Sequence, residues 1–218
     1  MSDRLSSHLF WGAHSPLSAL TGAGLIIMAS GRLSYAILSA AALLWVYALT
    51  SLAFIGGRKI MPIRGKSVIL LFLSAFFCGL FMLLASLLNP LLILGAGFFL
   101  VLVPVYCLGS GFFEAAESSP LSEVFMRALC EAGTLAAIIL AVALIREPLG
   151  MGTLSVPGGI SGVTEVFDVY NEESILPVRL FAVSSGGLLL LGYCTALFRY
   201  FREQGGNTPR GADMEDEQ

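Results

Sequence analysis

Charge is what this chain has least of. Only 12% of its 218 residues are Asp, Glu, Lys or Arg, against about 25% in a soluble domain. No stripe of Lys or Arg interleaves with aromatic residues, which excludes a nucleic-acid surface. The four cysteines, Cys78, Cys107, Cys130 and Cys194, share no regular spacing, and three fall in apolar runs. That pattern argues against a disulfide framework. No Gly-x-Gly-x-x-Gly strand–helix turn and no Ser/His/Asp arrangement is visible, so the chain carries neither a nucleotide fingerprint nor a hydrolytic triad of its own. Residues 1–16 lack the long apolar core and small-residue cleavage site of a signal peptide. The period-two alternation of a transmembrane barrel is missing as well.

What is present is apolar length. Hydrophobic residues make up 56% of the chain and mean hydropathy is +0.85, the composition of a helical integral membrane protein in contact with lipid. A helix crosses the hydrocarbon core with about 20 apolar residues. Residues 33–55, 68–88, 124–145 and 180–198 meet that length. Residues 17–30 are shorter, with Gly22 and Gly24 near the middle, and residues 91–108 contain Gly95, Gly97 and Pro104. The expected fold class is therefore all-α, with six transmembrane helices. The two weak spans are the first and the fourth, which head the two halves of a 3+3 arrangement. Interrupted segments at matching places in two halves point to an inverted repeat with a site between them. Residues 1–200 form the transmembrane domain in this reading, and residues 201–218 form a disordered cytoplasmic tail.

Orientation follows from the loops. Residues 56–66 hold Arg58, Lys59, Arg64 and Lys66 and no acid, so this loop is expected in the cytoplasm. Counting spans outward puts both termini inside. Residues 146–177 then face out, with Glu147, Glu165, Asp168, Glu172 and Glu173. That loop is either a solvated segment or a partly packed cap built on Val156, Ile160, Val163, Val166 and Phe167.

Cys107 stands at the end of the fourth span, before Leu108-Gly109-Ser110-Gly111 and a carboxylate at Glu114. Small residues interrupt a membrane helix where backbone is buried in protein or lines a cavity. A thiol there is either a soft metal ligand at a break or a small buried hydrophobe. Glu131 is an acid about two turns inside a span, and an intramembrane carboxylate marks a functional site by default. Arg127, one turn away, is its expected partner. Arg146-Glu147 is expected to cap the outer end of the fifth span. Ser184-Ser185-Gly186-Gly187 would let helices approach closely.

Two longer stretches and one short one carry a resemblance. Cys107-Leu108-Gly109-Ser110-Gly111-Phe112-Phe113-Glu114-Ala115 resembles the Cys-x-x-x-Gly-x-x-Glu-Ala signature of the six-helix membrane subunits of the Rnf complex and the related sodium-translocating NADH:quinone oxidoreductase. Ala143-Leu144-Ile145-Arg146-Glu147-Pro148-Leu149-Gly150-Met151-Gly152-Thr153-Leu154 is similar to the Ile-Arg-Glu-x-Leu-Gly-x-Gly-Thr-Leu run of the RnfE/NqrD-type branch. Pro16-Leu17-Ser18-Ala19-Leu20-Thr21 resembles the Cys-Pro-Leu-x-Ala-x-Thr start of the family's first half-helix. The matches keep the family's order and cover most of residues 10–200.

The resemblance implies a non-autonomous subunit of an ion-translocating oxidoreductase in the bacterial cytoplasmic (inner) membrane. Its expected partners are a sister six-helix subunit of the RnfA/NqrE-like kind and the other subunits of the complex. In that family two such subunits each supply two cysteines to one intramembrane [2Fe–2S] cluster, which relays electrons across the membrane. Cys107 matches one ligand position. The other falls on Ser15, with His14 beside it, so three readings stand open: His14 ligates, Ser15 ligates, or the subunit has lost the cluster and kept the architecture. Further departures are Tyr106 before Cys107, Phe112-Phe113 before Glu114, and Gly133-Thr134 at the start of the fifth helix. Two alternatives to the relay remain: a cluster-free scaffold subunit, and a small inverted-repeat secondary transporter.

Overall fold

The computed structural model describes residues 16–57, 65–110, 121–158, 162–168 and 181–206. Seven helices and one hairpin fill these segments: α1 (Pro16–Ala29), α2 (Leu33–Gly57), α3 (Lys66–Leu88), α4 (Pro90–Leu100), α5 (Leu102–Gly109), α6 (Leu121–Met151), β1 (Thr153–Pro157), β2 (Val163–Asp168) and α7 (Ser184–Gly206). Four stretches are long and apolar enough to cross a membrane: α2, α3, α4 with α5 taken together as Pro90–Gly109, and α6 over Glu123–Met151. α1 has only 14 residues, about 21 Å at 1.5 Å per residue, which is short of the hydrocarbon thickness. α7 has 23 residues and continues to Gly206, past the expected start of the tail at 201.

Asn89 and Pro90 join α3 to α4 with no loop. Asn89 is extended (φ −152°), and its side chain accepts from the Leu92 N–H at 3.3 Å. Pro90 occupies the first helical turn, where its missing N–H costs nothing. Eleven residues on from Pro90, Val101 separates α4 from α5. Pro104 explains the weakness here, since it has no N–H to offer the Leu100 carbonyl four residues back. That carbonyl instead accepts from the Cys78 thiol of α3 at 3.4 Å. The Cys78 S–H, a weak donor, fills the vacancy that the proline leaves.

The helices meet through small side chains. The buried face of α2 includes Ala36, Ser39 and Ala40, and that of α6 includes Ala128, Ala132 and Ala136. Small residues four apart let backbones approach closely, the main source of helix association once lipid removes the hydrophobic drive. Gly95 on α4 works the same way: a Cβ there would lie 2.6 Å from the Tyr35 hydroxyl of α2.

The described residues after α6 form a hairpin that packs in part on the helices. β1 and β2 pair antiparallel, with a register shift between Leu154 and Ser155. Gly162, at φ +84°, presses on the start of α4, where an added Cβ would lie 2.8 Å from the Leu92 N. The apolar residues divide differently from the expectation. Val163 packs against the core, whereas Val156 and Val166 are exposed, and Ile160 lies outside the described residues.

Candidate functional site

Arg146 and Glu147 do not end the fifth span. α6 runs through both and through Pro148 to Met151, and both charged residues turn inward, 3% and 1% exposed. All five guanidinium N–H donors of Arg146 find acceptors. Nε donates to Phe181 O at 2.8 Å, Nη1 to Ile27 O at 2.6 Å and Ser30 Oγ at 3.0 Å, and Nη2 to Ala182 O at 3.3 Å and Val183 O at 3.1 Å. Ile27 lies in the last turn of α1, where carbonyls lack helical partners and the helix dipole is negative. Glu147 does the converse. Its Oε2 accepts from the Leu33 N–H at 2.6 Å, at the positive N-terminus of α2. Ser155 of β1 takes the next N–H, that of Ser34, at 3.4 Å. One dipeptide on α6 thus ties the end of α1, the start of α2 and the segment leading into α7. Gly187 makes room for it, since a Cβ there would lie 3.0 Å from Arg146 Nη1. Glu147 Oε1 is buried with no hydrogen-bond partner among the described residues.

Cys107, the last turn of α5, and Glu131 on α6 are brought together by a second polar group. Cys107 is fully buried. Ser110 Oγ donates to the Cys107 carbonyl at 3.2 Å and stands 3.3 Å from the Tyr47 hydroxyl of α2. The Glu131 carboxyl lies close to the Ser110 and Tyr47 hydroxyls. The Tyr47 and Tyr106 rings are 6.4 Å apart, and Gly22 of α1 lies against Tyr106, where a Cβ would meet the ring at 3.1 Å. The segments carrying two of the sequence motifs, α1 and α5, therefore pack on each other.

The expected Arg127–Glu131 pair is not formed. Arg127 bonds Glu123 at 2.6 Å on the exposed face. Both carboxylates stand four residues from Arg127, but an acid on the N-terminal side of the base is the favoured order, and Glu131 faces inward. His14, Ser15 and Glu114 lie outside the described residues. Cys130 is exposed and Cys194 partly buried.

Tyr47 and Ser110 were missed as members of this group. Tyr47 could have been found: aromatic residues with a polar tip belong at the membrane interface, and Tyr47 lies 14 residues into a span, about 21 Å from its start. Ser110 gave no signal beyond being small.

No family model matches this chain, and no curated protein matches it.

Of the ligands that the resemblance implies for a [2Fe–2S] cluster, Cys107 alone lies among the described residues. Such a cluster takes four thiolates, or two with two imidazoles. Among the described residues no group of three His, Cys, Asp or Glu side chains converges, and Cys107 lies in the buried apolar cluster with the Ser110 hydroxyl on its carbonyl. A cluster shared with a sister subunit also requires each thiolate at the surface between the two, and Cys107 has no exposed surface.

Proposed function

We propose that this chain is a membrane subunit of a redox-driven ion-translocating electron transport complex of the Rnf and NADH:quinone oxidoreductase kind. It has six spans in a 3+3 inverted repeat, sits in the bacterial inner membrane with both termini cytoplasmic, and pairs with a sister six-helix subunit. The observation that carries the reading is the place of the Arg-Glu motif. The run most specific to the resemblance holds three helix ends together through six charge-assisted hydrogen bonds, rather than lying solvated in a loop. The packing of α1 on α5 beside Cys107 adds support, because it joins the heads of the two proposed halves.

Within this reading the chain acts as a cluster-free scaffold. The burial of Cys107 and Ser15 at the other ligand position favour that version over an electron relay through this subunit. Electrons pass through partner subunits, and this chain supplies the rigid frame against which they work.

Purification of the tagged chain from its own membranes in mild detergent tests the proposal. A second six-helix chain and subunits bearing flavin or iron–sulfur centres are expected to come with it. A chain that purifies alone, and moves a solute in proteoliposomes without a redox partner, would instead be a secondary transporter.

A further inference from the structure

The end of α6 and the hairpin that follows it are held very unequally. Arg146 grips the end of α1 and the backbone of residues 181–183, and Glu147 takes the Leu33 N–H at 2.6 Å. The hairpin is attached by longer contacts. Ser155 accepts from the Ser34 N–H and donates to the Ser34 hydroxyl, each at 3.4 Å, beyond the usual length of either bond. A two-stranded hairpin has little stability of its own, and this one leaves Val156 and Val166 exposed. One residue joins it to α6: Gly152, in the left-handed region at φ +74°, where an L side chain would be strained. A residue of this kind, at the end of a rigid helix, is where a hinge absorbs a change of backbone angle.

We propose that β1 and β2 form a hinged lid beside Glu147, which swings on Gly152 and uncovers the carboxylate to water. Glu147 supplies the drive. Its side chain is 1% exposed, and Oε1 is buried with no hydrogen-bond partner among the described residues. A buried carboxylate oxygen without a partner keeps its full desolvation cost. Ser155 and Glu147 take consecutive N–H groups of α2, those of Ser34 and Leu33, which have no helical partner of their own. The hairpin residue therefore stands next to the carboxylate, and its departure admits water there. Water then takes up Oε1, the Ser34 N–H and the Ser155 hydroxyl, which offsets the loss of the two long contacts. The lid lies at the end of the bundle where α1, α3 and α6 finish and α2 and α4 begin. When seated it covers both turns, since Gly162 rests on the start of α4 with no room for a Cβ. The Arg146 bonds lie on the far side of the hinge, so the helices keep their places while the hairpin lifts.

Opening is a property of the chain alone and does not depend on the translocase reading. Hydrogen exchange of the full-length protein in mixed micelles, read peptide by peptide by mass spectrometry, tests it. Peptides covering Ser34 and residues 153–157 are expected to exchange at a rate that stays constant as denaturing detergent is added below the unfolding transition, while the middle of α6 exchanges only on unfolding. Ser155→Cys, at a position 1% exposed in the closed form, should react with a water-soluble maleimide under the same conditions, about tenfold or more faster than the fully buried Cys107. Glu147→Gln keeps an acceptor for the Leu33 N–H and removes the buried charge, so it should slow exchange of the Ser34 peptide about fivefold or more. The double variant Ser34→Cys with Ser155→Cys, built where the two hydroxyls stand 3.4 Å apart, should form a disulfide that stops this exchange until it is reduced. Should the variants not fold, exchange in the wild type decides alone. Exchange at Ser34 that rises with detergent together with α6, a Ser155→Cys thiol as slow as Cys107, or a Glu147→Gln protein that opens as fast as the wild type would overturn the lid.

Discussion

Arg146→Ala should be among the most damaging single substitutions in the chain. The side chain is 3% exposed and makes five hydrogen bonds, four to backbone carbonyls and one to the Ser30 hydroxyl. A hydrogen bond to a charged group contributes about 1.5–3 kcal/mol, so simple addition gives roughly 7–15 kcal/mol. Addition overstates the loss, because bonds to one group are not independent and carbonyls at helix ends can turn toward water. Removing one partner from a buried charged network costs about 3–5 kcal/mol, and that is the expected loss. Arg146→Lys keeps the charge but offers three donors in place of five. At least two acceptors stay unpaired, for a loss of about 2–3 kcal/mol. Reversible unfolding in mixed micelles reads both values. A loss below about 1 kcal/mol for Arg146→Ala, the size of an average substitution, would refute the claim that this guanidinium holds α1, α6 and α7 together.

The glycines around that knot should separate by what a Cβ would meet. Gly187→Ala would crowd a guanidinium fixed by five bonds, and Gly150→Ala would place a Cβ 2.6 Å from the Ala182 backbone N; each should cost about 1–3 kcal/mol. Gly133→Ala meets nothing within 4 Å and should be neutral or stabilising by up to about 1 kcal/mol, measured by the same unfolding. Thiol labelling of the folded protein in detergent should modify Cys130 first and spare Cys78 and Cys107 until the chain unfolds, in line with their exposure; rapid labelling of Cys107 would show the α1–α5 packing to be wrong.

The helical membrane class was legible in the sequence, because apolar length is a property of local composition. So was the α3–α4 junction, since Asn89-Pro90 both stops one helix and starts the next. The length of α6 was not. Arg146 and Glu147 look like the end of a span by charge alone, and only the carbonyls of α1 and of residues 181–183, with the N-terminus of α2, make their burial tolerable. These partners are more than 30 residues away in the chain. The Glu131 pairing failed for a related reason. Spacing offered Arg127 equally to Glu123 and Glu131, and the choice depended on which side of α6 faces α2. The hairpin was hidden by its glycines, which mark turns and give little sign of strands. His14, Ser15 and Glu114 lie outside the described residues, so their part in the site stays an expectation from the resemblance.

The most direct test of the central claim is the iron content and reduced-state EPR spectrum of the complex purified through this chain, wild type against Cys107→Ala. The account predicts that redox subunits accompany both proteins and that any [2Fe–2S] signal is unchanged by the substitution. A [2Fe–2S] signal present in the wild type and lost in Cys107→Ala would contradict the cluster-free scaffold and make this thiol a ligand.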